Sequence, residues 1–587
     1  MLGEVKELGI LTLKEKKKSA LDVFIESINS RNYPHIVAII LEKQSDKYIY
    51  KKVELEETDT VNPEKYLYKK GSPRGSNFSP TAMTIEVENT FQNKILNWFQ
   101  SIKRNKSQEV LEIFTEVEKA LIEKKGKILK DINSLAKDIK SFAITLKIDD
   151  KYLYDMAEFK DAFLTLILEK NEKIAGEDKT CSICGEKKLK VYGGASPFKF
   201  YTIDKPGFIT GEFNEELSWR NFPVCGECSL ALNEGKNIIE NSLKFRFYGL
   251  EYMLVPNFIF GKEGKDLIIE IIKKRLDKNI LLKNETGSSL VTAEDDILYF
   301  LSDMQDNLTL HFLFIKKQQG AERIILLIDD IFPSRIRKLF SAKKAVDQLF
   351  SRIPFHFGKI RTFFVKSDPG KRDNDLDKYF LEIIDAVFKG KNIDFKFLAL
   401  NYMREIRREF KNEQSDQFFY KTIDAIESTL FFNNLNLLSV KEESIVQTQF
   451  DSIFEKYSLN MDTNVKRGIF LLGALTKMLL NIQKRERQNQ PFLSQLKGLK
   501  MNQKDMQGLL PKVEAKLEEY KRFDKGKRIV AEEISRLLLS SESKWKLSVD
   551  EINFYFVCGM NLYNDINQML YDKKEDEPSD EQSNDSE

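Results

Sequence analysis

The sequence predicts an α+β protein: a mixed N-terminal α/β region interrupted by a four-cysteine knuckle, followed by a C-terminal α-helical bundle. Three observations carry that prediction. Period-2 apolar runs recur between residues 34 and 57 and again between 243 and 329, the pattern of half-buried strands. Two C-x-x-C pairs, 181-CSICGEKK-188 and 223-PVCGECSLALNEGK-236, hold four of the five cysteines in a chain of 587 residues. From about residue 393 the apolar spacing turns almost wholly helical.

A chain of this length should hold more than one core, because single cores stop growing near ~250–300 residues. The expected divisions are an N-terminal α+β region (1–175), the knuckle insertion (176–242), a central α/β region completing the N-terminal domain (243–435), a helical bundle (436–572) and a disordered acidic tail (573–587). In the first region, PHIVAIILEK (34–43), a Gln-Ser-Asp turn and KYIYKKVELEE (47–57) form a predicted hairpin. A loop, 71-GSPRGSNFSP-80, follows, and from Thr81 to about Leu146 the 3.6-residue pattern predicts helices. The knuckle region contains the extended aromatic segment 197-PFKFYTIDKPGF-208. LKFRFYGLEYMLVPNFIF (243–260) reads as one strand, with further strands at 308–316 and 323–329. Helical patterns over 335–350 and 376–390 flank FHFGKIRTFFV, which reads as strand, and residues 440–572 read as four or five amphipathic helices.

Composition excludes several classes. No run approaches the ~18 apolar residues of a membrane helix; 468-GIFLLGALTKMLL-480 is broken by Lys477. The N-terminus places its charges after a short apolar stretch and offers no signal-peptide cleavage site. With few cysteines, mostly in C-x-x-C pairs, a disulfide scaffold is not expected, and a cytoplasmic location is. Net charge is only +2, but the last thirteen residues hold seven acids and no base, whereas residues 461–574 hold 21 Lys/Arg against 14 Asp/Glu.

A C-x-x-C pair sets two sulfurs on one tight turn, and two pairs supply the four thiolates of a closed tetrahedral Zn²⁺ site. Cys181, Cys184, Cys225 and Cys228 are therefore the expected ligands of a structural zinc knuckle; ligand type alone also suits an iron–sulfur cluster. Such an ion contributes ~10–16 kcal/mol in small zinc-finger peptides. Cys558, in NFYFVCGM, reads as a buried small residue.

No catalytic motif accompanies the knuckle. There is no G-x-x-x-x-G-K-[ST], H-E-x-x-H or G-x-S-x-G, and the three histidines, His35, His311 and His356, all lie in apolar stretches. Asp329 and Asp330, at the end of RIILLIDD, are the best acidic pair for Mg²⁺. Adjacent strand residues point to opposite faces, however, and 330-DIFPSR-335 reads as a helix entry with Ser334 as cap.

Three basic sets are candidates for phosphate. They are Arg74 in its Gly-Ser loop; Arg335, Arg337 and Lys338 on the 335–344 helix; and Lys484, Arg485, Arg487, Lys527 and Arg528 in the bundle, where residues 484–528 hold 13 bases and 6 acids. A solvated helix face is the alternative for each single run. PFKFY and KFRFY suit base stacking or, by their alternation, half-buried strands.

The ordered set YLYKKGSPRG (66–75), CSICGEKK (181–188), PFKFYTIDKPGF (197–208), FPVCGECSLALNEGK (222–236), LKFRFYGLEYMLVPNF (243–258) and LLIDDIFPSR (326–335) resembles the large-subunit family of type I-B CRISPR Cascade complexes. The resemblance runs to about residue 340. It implies a non-catalytic subunit beside the 5′ handle of the CRISPR RNA, in contact with the Cascade backbone and other Cascade subunits. It further implies recognition of the target-flanking motif on double-stranded DNA, opening of the duplex and recruitment of a separate helicase–nuclease, with no membrane partner. Guide pairing then reads the long sequence while protein reads a short motif. The resemblance transfers no motif-reading residues; Arg74, Lys199 and Lys205 are the candidates beside the glycine loop and the knuckle. It also implies that the bundle can be made separately as a small subunit, from Met461 or else Met478. The rivals to this reading are a zinc-ribbon Mg²⁺-dependent nuclease using Asp329 and Asp330, and a zinc-containing scaffold that meets only protein.

Overall fold

The computed structural model describes residues 1–16, 21–45, 47–72, 75–84, 86–103, 108–172, 175–193, 198, 215–259, 265–266, 268–269, 298, 301–302, 304–318, 321–350, 353–410, 416–439 and 444–571. The aromatic segment around 197–208, apart from Phe198, and the acidic tail lie outside them, as do Arg74, Lys199 and Lys205. The chain divides into two compact units. One comprises Met1–Lys244, Lys265–Lys278 and Lys317–Arg323; the other comprises Phe245–Gly264, Asn279–Lys316 and Ile324–Glu587.

The first unit is built on a five-stranded sheet. After helix α1 (Leu2–Lys16), strands β1 (His35–Gln44) and β2 (Lys47–Glu57) pair antiparallel as the hairpin the sequence predicts. The sheet order is β2-β1-β4-β3, with β3 at Ala82–Thr84 and β4 at Phe142–Ile148, and the short β5 (Lys151–Tyr152) paired to β4. Helical residues 87–103 and helices α2 (Gln108–Glu123) and α3 (Lys125–Leu135) lie between β3 and β4.

Here the expectation of helix up to about Leu146 is corrected, since FAITLKI (142–148) is a strand parallel to β1. Its near-continuous apolar run suits a strand buried on both faces. Val37, Ile39 and Leu41 of β1 and Ile144 and Leu146 of β4 face a helical layer that includes Trp98, Phe99, Phe114 and Phe159. Ile36 and Ala143 meet Tyr66 and Tyr68 on the opposite side. Trp98 stacks on Phe159 at 5.6 Å and meets Phe114 edge-on at 5.4 Å, geometries that aromatic quadrupoles favour. Helix α4 (Ala157–Glu172) leads to the hairpin β6 (Ala175–Thr180) and β7 (Lys187–Tyr192), and α5 (Gly226–Ser242) follows.

Most of a four-stranded sheet of order β11-β10-β9-β8 belongs to the second unit; it is formed by β8 (Lys244–Phe247), β9 (Leu250–Phe258), β10 (Leu308–Gln318) and β11 (Ala321–Ile331), of which Lys244, Lys317, Gln318 and Ala321–Arg323 cluster with the first unit. Residues 243–260 are thus two strands rather than one. Tyr248 and Gly249 both have positive φ (47° and 84°), the conformation of a tight two-residue hairpin turn. FHFGKIRTFFV is not a strand either. Phe357–Arg361 forms a short helix with Phe357 and Ile360 buried, because its apolar residues recur at helical spacing.

Helices α6 (Pro333–Asp347), α7 (Asp377–Lys389), α8 (Phe395–Phe410) and α9 (Gln417–Asn434) follow. Ser334 is not the cap of α6. Phe332 holds the N-cap position, and the Ser334 N–H donates to the Asp306 carboxylate at 2.8 Å, a cap supplied from outside the helix. The bundle consists of α10 (Asn464–Arg487), α11 (Leu509–Glu519), α12 (Lys525–Leu539), α13 (Val549–Asn561) and α14 (Tyr563–Tyr571). Two glycines set the α10–α13 crossing. A Cβ on Gly473 would lie 2.0 Å from the Phe556 carbonyl oxygen, and one on Gly559 would lie 1.8 Å from that of Phe470. The division drawn from sequence at residue 436 falls within this unit, where Phe395 of α8 meets Phe554 of α13 edge-on at 5.3 Å and Tyr402 of α8 packs on it at a tilt, at 5.8 Å.

Candidate metal centre and basic surfaces

The four cysteines meet in the first unit. Their sulfurs lie within 4.8 Å of one another, with Cys181, Cys225 and Cys228 buried and Cys184 partly so. Local chain geometry places each pair. Cys181 and Cys184 occupy the turn of the β6–β7 hairpin, which the Cys181 N–H closes by donating to the Glu186 carbonyl at 2.9 Å. Gly185 follows at φ +72°, a left-handed position that costs glycine little. Cys225 is the N-cap of α5, and Cys228 lies in its first turn. Hydrogen bonds Ser182 N–H to Pro223 O (2.8 Å) and Tyr192 N–H to Val224 O (2.8 Å) hold the two pieces together.

The electrostatics favour a thiolate at Cys181. Burial works against a charge on Cys181, but backbone N–H groups of Cys225, Cys184 and Ile183 outweigh it and bring the thiol down to about 7. Burial raises Cys225 and Cys228, which leaves these two dependent on a cation for ionisation. A helix N-terminus beside the pair adds positive potential. Four convergent sulfurs can hold a tetrahedral ion without an open catalytic position. Among the described residues this is the only group of three or more His, Cys, Asp and Glu side chains so disposed. Cys558 lies elsewhere, fully buried in α13, and burial pushes its thiol well up.

The hairpin also presents cations that sequence reasoning passed over. Lys179, Lys187 and Lys190 are exposed on β6 and β7, and Leu189 between them is 83% exposed. Lys179 lies 5.7 Å over the Trp219 ring. The lysine-rich alternation of EKKLKVY was the available signal.

In the second unit the predicted bases separate into two kinds. Arg335 donates through Nε to the carbonyls of Val387 and Phe388, each at 3.2 Å, closing the C-terminal end of α7. Arg337 donates to the carbonyls of Ser302 (2.7 Å) and Met304 (2.9 Å). Lys338 is exposed on the same helix. Lys484, Arg485 and Arg487 are exposed on the last turn of α10, and Arg487 lies 5.0 Å over the Tyr520 ring. Lys527 pairs with Asp524 and donates to the Tyr571 hydroxyl at 3.0 Å, while Arg528 pairs with Glu518 at 2.7 Å and lies 4.6 Å over Phe523.

Asp329 and Asp330 do not converge. Lys389 holds Asp329 at 2.5 Å and, foremost among the causes, lowers its carboxyl below the usual range. Asp330 sits at φ 55°, with its carboxylate accepting from Thr309 at 3.3 Å and its N–H donating to His311 Nδ1 at 3.2 Å.

No helix among the described residues is long and apolar enough to cross a membrane. No curated protein matches the chain. Family models do, in consecutive order: the N-terminal domain of CRISPR-associated protein TM1802 over residues 1–165, its central domain over 178–331 and its C-terminal domain over 355–574. The central match contains all four cysteines, and the C-terminal match contains the whole helical bundle. With a fold that joins a strand-rich first part to a helical end, and with matches along nearly its whole length, the chain belongs to the CRISPR-associated TM1802 family.

Proposed function

We propose that the chain is the non-catalytic large subunit of a type I-B Cascade complex. It binds the 5′-handle region of the CRISPR RNA among the other Cascade subunits, recognises the target-flanking motif on double-stranded DNA, starts the R-loop and recruits the helicase–nuclease. The observation that carries this reading is the family match from end to end. The four-sulfur centre serves it as a structural Zn²⁺ site, holding the β6–β7 hairpin on the start of α5. Lys179, Lys187 and Lys190 on that hairpin, with Lys199, Lys205 and Arg74, form the duplex-facing set, and Lys338, Lys484, Arg485, Arg487, Lys527 and Arg528 meet phosphates elsewhere. Pairing of Asp329 with Lys389 weighs against the nuclease alternative.

The bundle also serves as a separately translated small subunit beginning at Met461. Thr463, two residues on, caps α10 by accepting from the Lys466 N–H, so this product starts on an intact helix. Met478 lies inside α10, and a start there would sever it.

The test is target-duplex binding by the CRISPR RNA-loaded complex. Replacing Lys179, Lys187 and Lys190 by Gln should weaken duplex binding and lower its salt slope by about 0.9 for each phosphate no longer neutralised, with RNA assembly unchanged. Unaltered duplex affinity would remove the hairpin from the reading, and a complex that assembles without the chain would refute it.

A further inference from the structure

The last turn of α10 opens into a cavity of about 790 Å³ lined by Lys477, Lys484, Phe410, Phe418, Asn489 and Ser494, among other residues. Lys477 interrupts the most apolar part of the helix. It is partly buried, and no described residue forms an ion pair or side-chain hydrogen bond with it. Burial, reinforced by the neighbouring charge of Lys484, lowers its ammonium below the usual lysine value.

An unpaired ammonium in such a place is costly unless a ligand satisfies it. Lining an open cavity rather than packing against apolar neighbours, the lysine leaves its charge available to an anion. Among the described residues, Glu409 is the one acid lining the cavity, against two lysines. On the same wall Phe410 and Phe418 meet at 5.2 Å and 61°, and Phe419 and Tyr420, next in the chain, are 40% and 37% exposed. Asn489 adds an amide with both donor and acceptor. A second, smaller cavity of about 370 Å³ lies beyond Pro491, which lines both, and it carries Arg487, Lys512 and Lys516 beside Tyr520. Cations for phosphate, rings for stacking and a continuing basic track are the components of single-strand recognition.

We propose that the Lys477–Lys484 cavity takes one nucleotide of a single-stranded nucleic acid, its phosphate on the two ammonium groups and its base against Phe410 and Phe418. The proposal rests on the nucleic-acid role assigned above and adds a base-holding pocket in the bundle. The strand continues past Pro491 toward Arg487, Lys512 and Lys516.

The experiment uses the full chain with single-stranded oligonucleotides carrying 2-aminopurine, in DNA and RNA arms, over a salt series. Wild-type protein should quench the fluorophore in at least one arm, and the stronger arm identifies the strand. Lys477→Gln/Lys484→Gln should weaken binding about tenfold and lower the salt slope by about 0.7, the value for one single-strand phosphate. Phe418→Ala should abolish quenching while retaining most of the affinity. Lys484→Gln alone, at an exposed position, covers the event that the double variant misfolds, and it should lower the slope by at most about 0.7. Wild-type binding with unchanged slope and quenching in the variants overturns the pocket and leaves the proposed function standing. Failure of the wild type to bind either strand overturns the pocket, whereas the proposed function is decided by duplex binding of the loaded complex.

Discussion

Gly235 lies so close to Val5 that a Cβ on it would sit 2.0 Å from the Val5 carbonyl oxygen. One on Gly9 would likewise sit 1.9 Å from that of Ala231. Helices α1 and α5 therefore cross backbone to backbone, and α5 is the helix whose first turn carries Cys225 and Cys228. The four-cysteine cluster is thus tied to the N-terminal helix through a contact that contains no cysteine. Any side chain at these glycines must push the helices apart.

Gly235→Ala should lower stability by ~1–3 kcal/mol, the usual range for overpacking a close contact. Thermal unfolding reads this directly. Metal content at neutral pH should stay at one ion per chain, but the ion should leave faster to a chelator. A variant as stable as the wild type would mean that the two helices separate at no cost.

Metal analysis of the purified chain should give one zinc per molecule and no visible iron–sulfur absorption. Cys228→Ser should abolish it, because the sulfur removed belongs to a closed set of four. Proteolysis should then cut within residues 175–225 of the variant, since a handful of backbone hydrogen bonds and the Lys188–Glu227 pair are then left, among the described residues, to hold the hairpin to α5. Full zinc retention in the variant would exclude Cys228 as a ligand.

A C-terminally tagged gene should yield two bands, and Met461→Leu should remove the smaller. In the separate product Phe554 and Tyr555 lose their partners Phe395 and Tyr402. The 461–587 fragment should therefore bind a hydrophobic dye, and Phe554→Ser should reduce that binding. A single full-length band would dismiss the internal start.

Asp59 accepts N–H bonds from Asn62 and Val61 and pairs with Lys65 at 3.0 Å. Backbone donation from Asn62 first, then Lys65, lowers its carboxyl to about 2. A depressed carboxyl stabilises the fold above its unfolded value near 3.9, and that contribution fades as pH falls toward about 2. Asp59→Asn should cost roughly 1 kcal/mol or less at pH 7, because solvent screens the pair. The two proteins should converge in denaturant midpoint only as pH falls to about 2. A gap that persists there would assign the effect to packing instead.

Much of this molecule was open to reading from residue order. The β1–β2 hairpin followed from alternation around a polar turn, and the bundle from 3.6-residue periodicity, since both patterns record one face meeting apolar neighbours. The convergence of the four cysteines followed from pairwise spacing, because a C-x-x-C turn confines two sulfurs whatever surrounds it. Tertiary structure decided the rest. FAITLKI is a strand because β1 and β3 stand on either side of it, a circumstance that a short apolar run does not encode.

Likewise, Arg335 and Lys338 look alike as letters, yet one closes the end of α7 and the other is exposed. A cation's role depends on which carbonyls or acids the fold brings within reach. Lys477 shows the same in reverse. In the sequence it only interrupts an apolar run, and it becomes a candidate anion site because Phe410, Phe418 and Lys484 converge around it from three separate helical segments. Local patterns are set by backbone geometry over a few residues, whereas partners distant in the chain are set by packing, and only coordinates contain those.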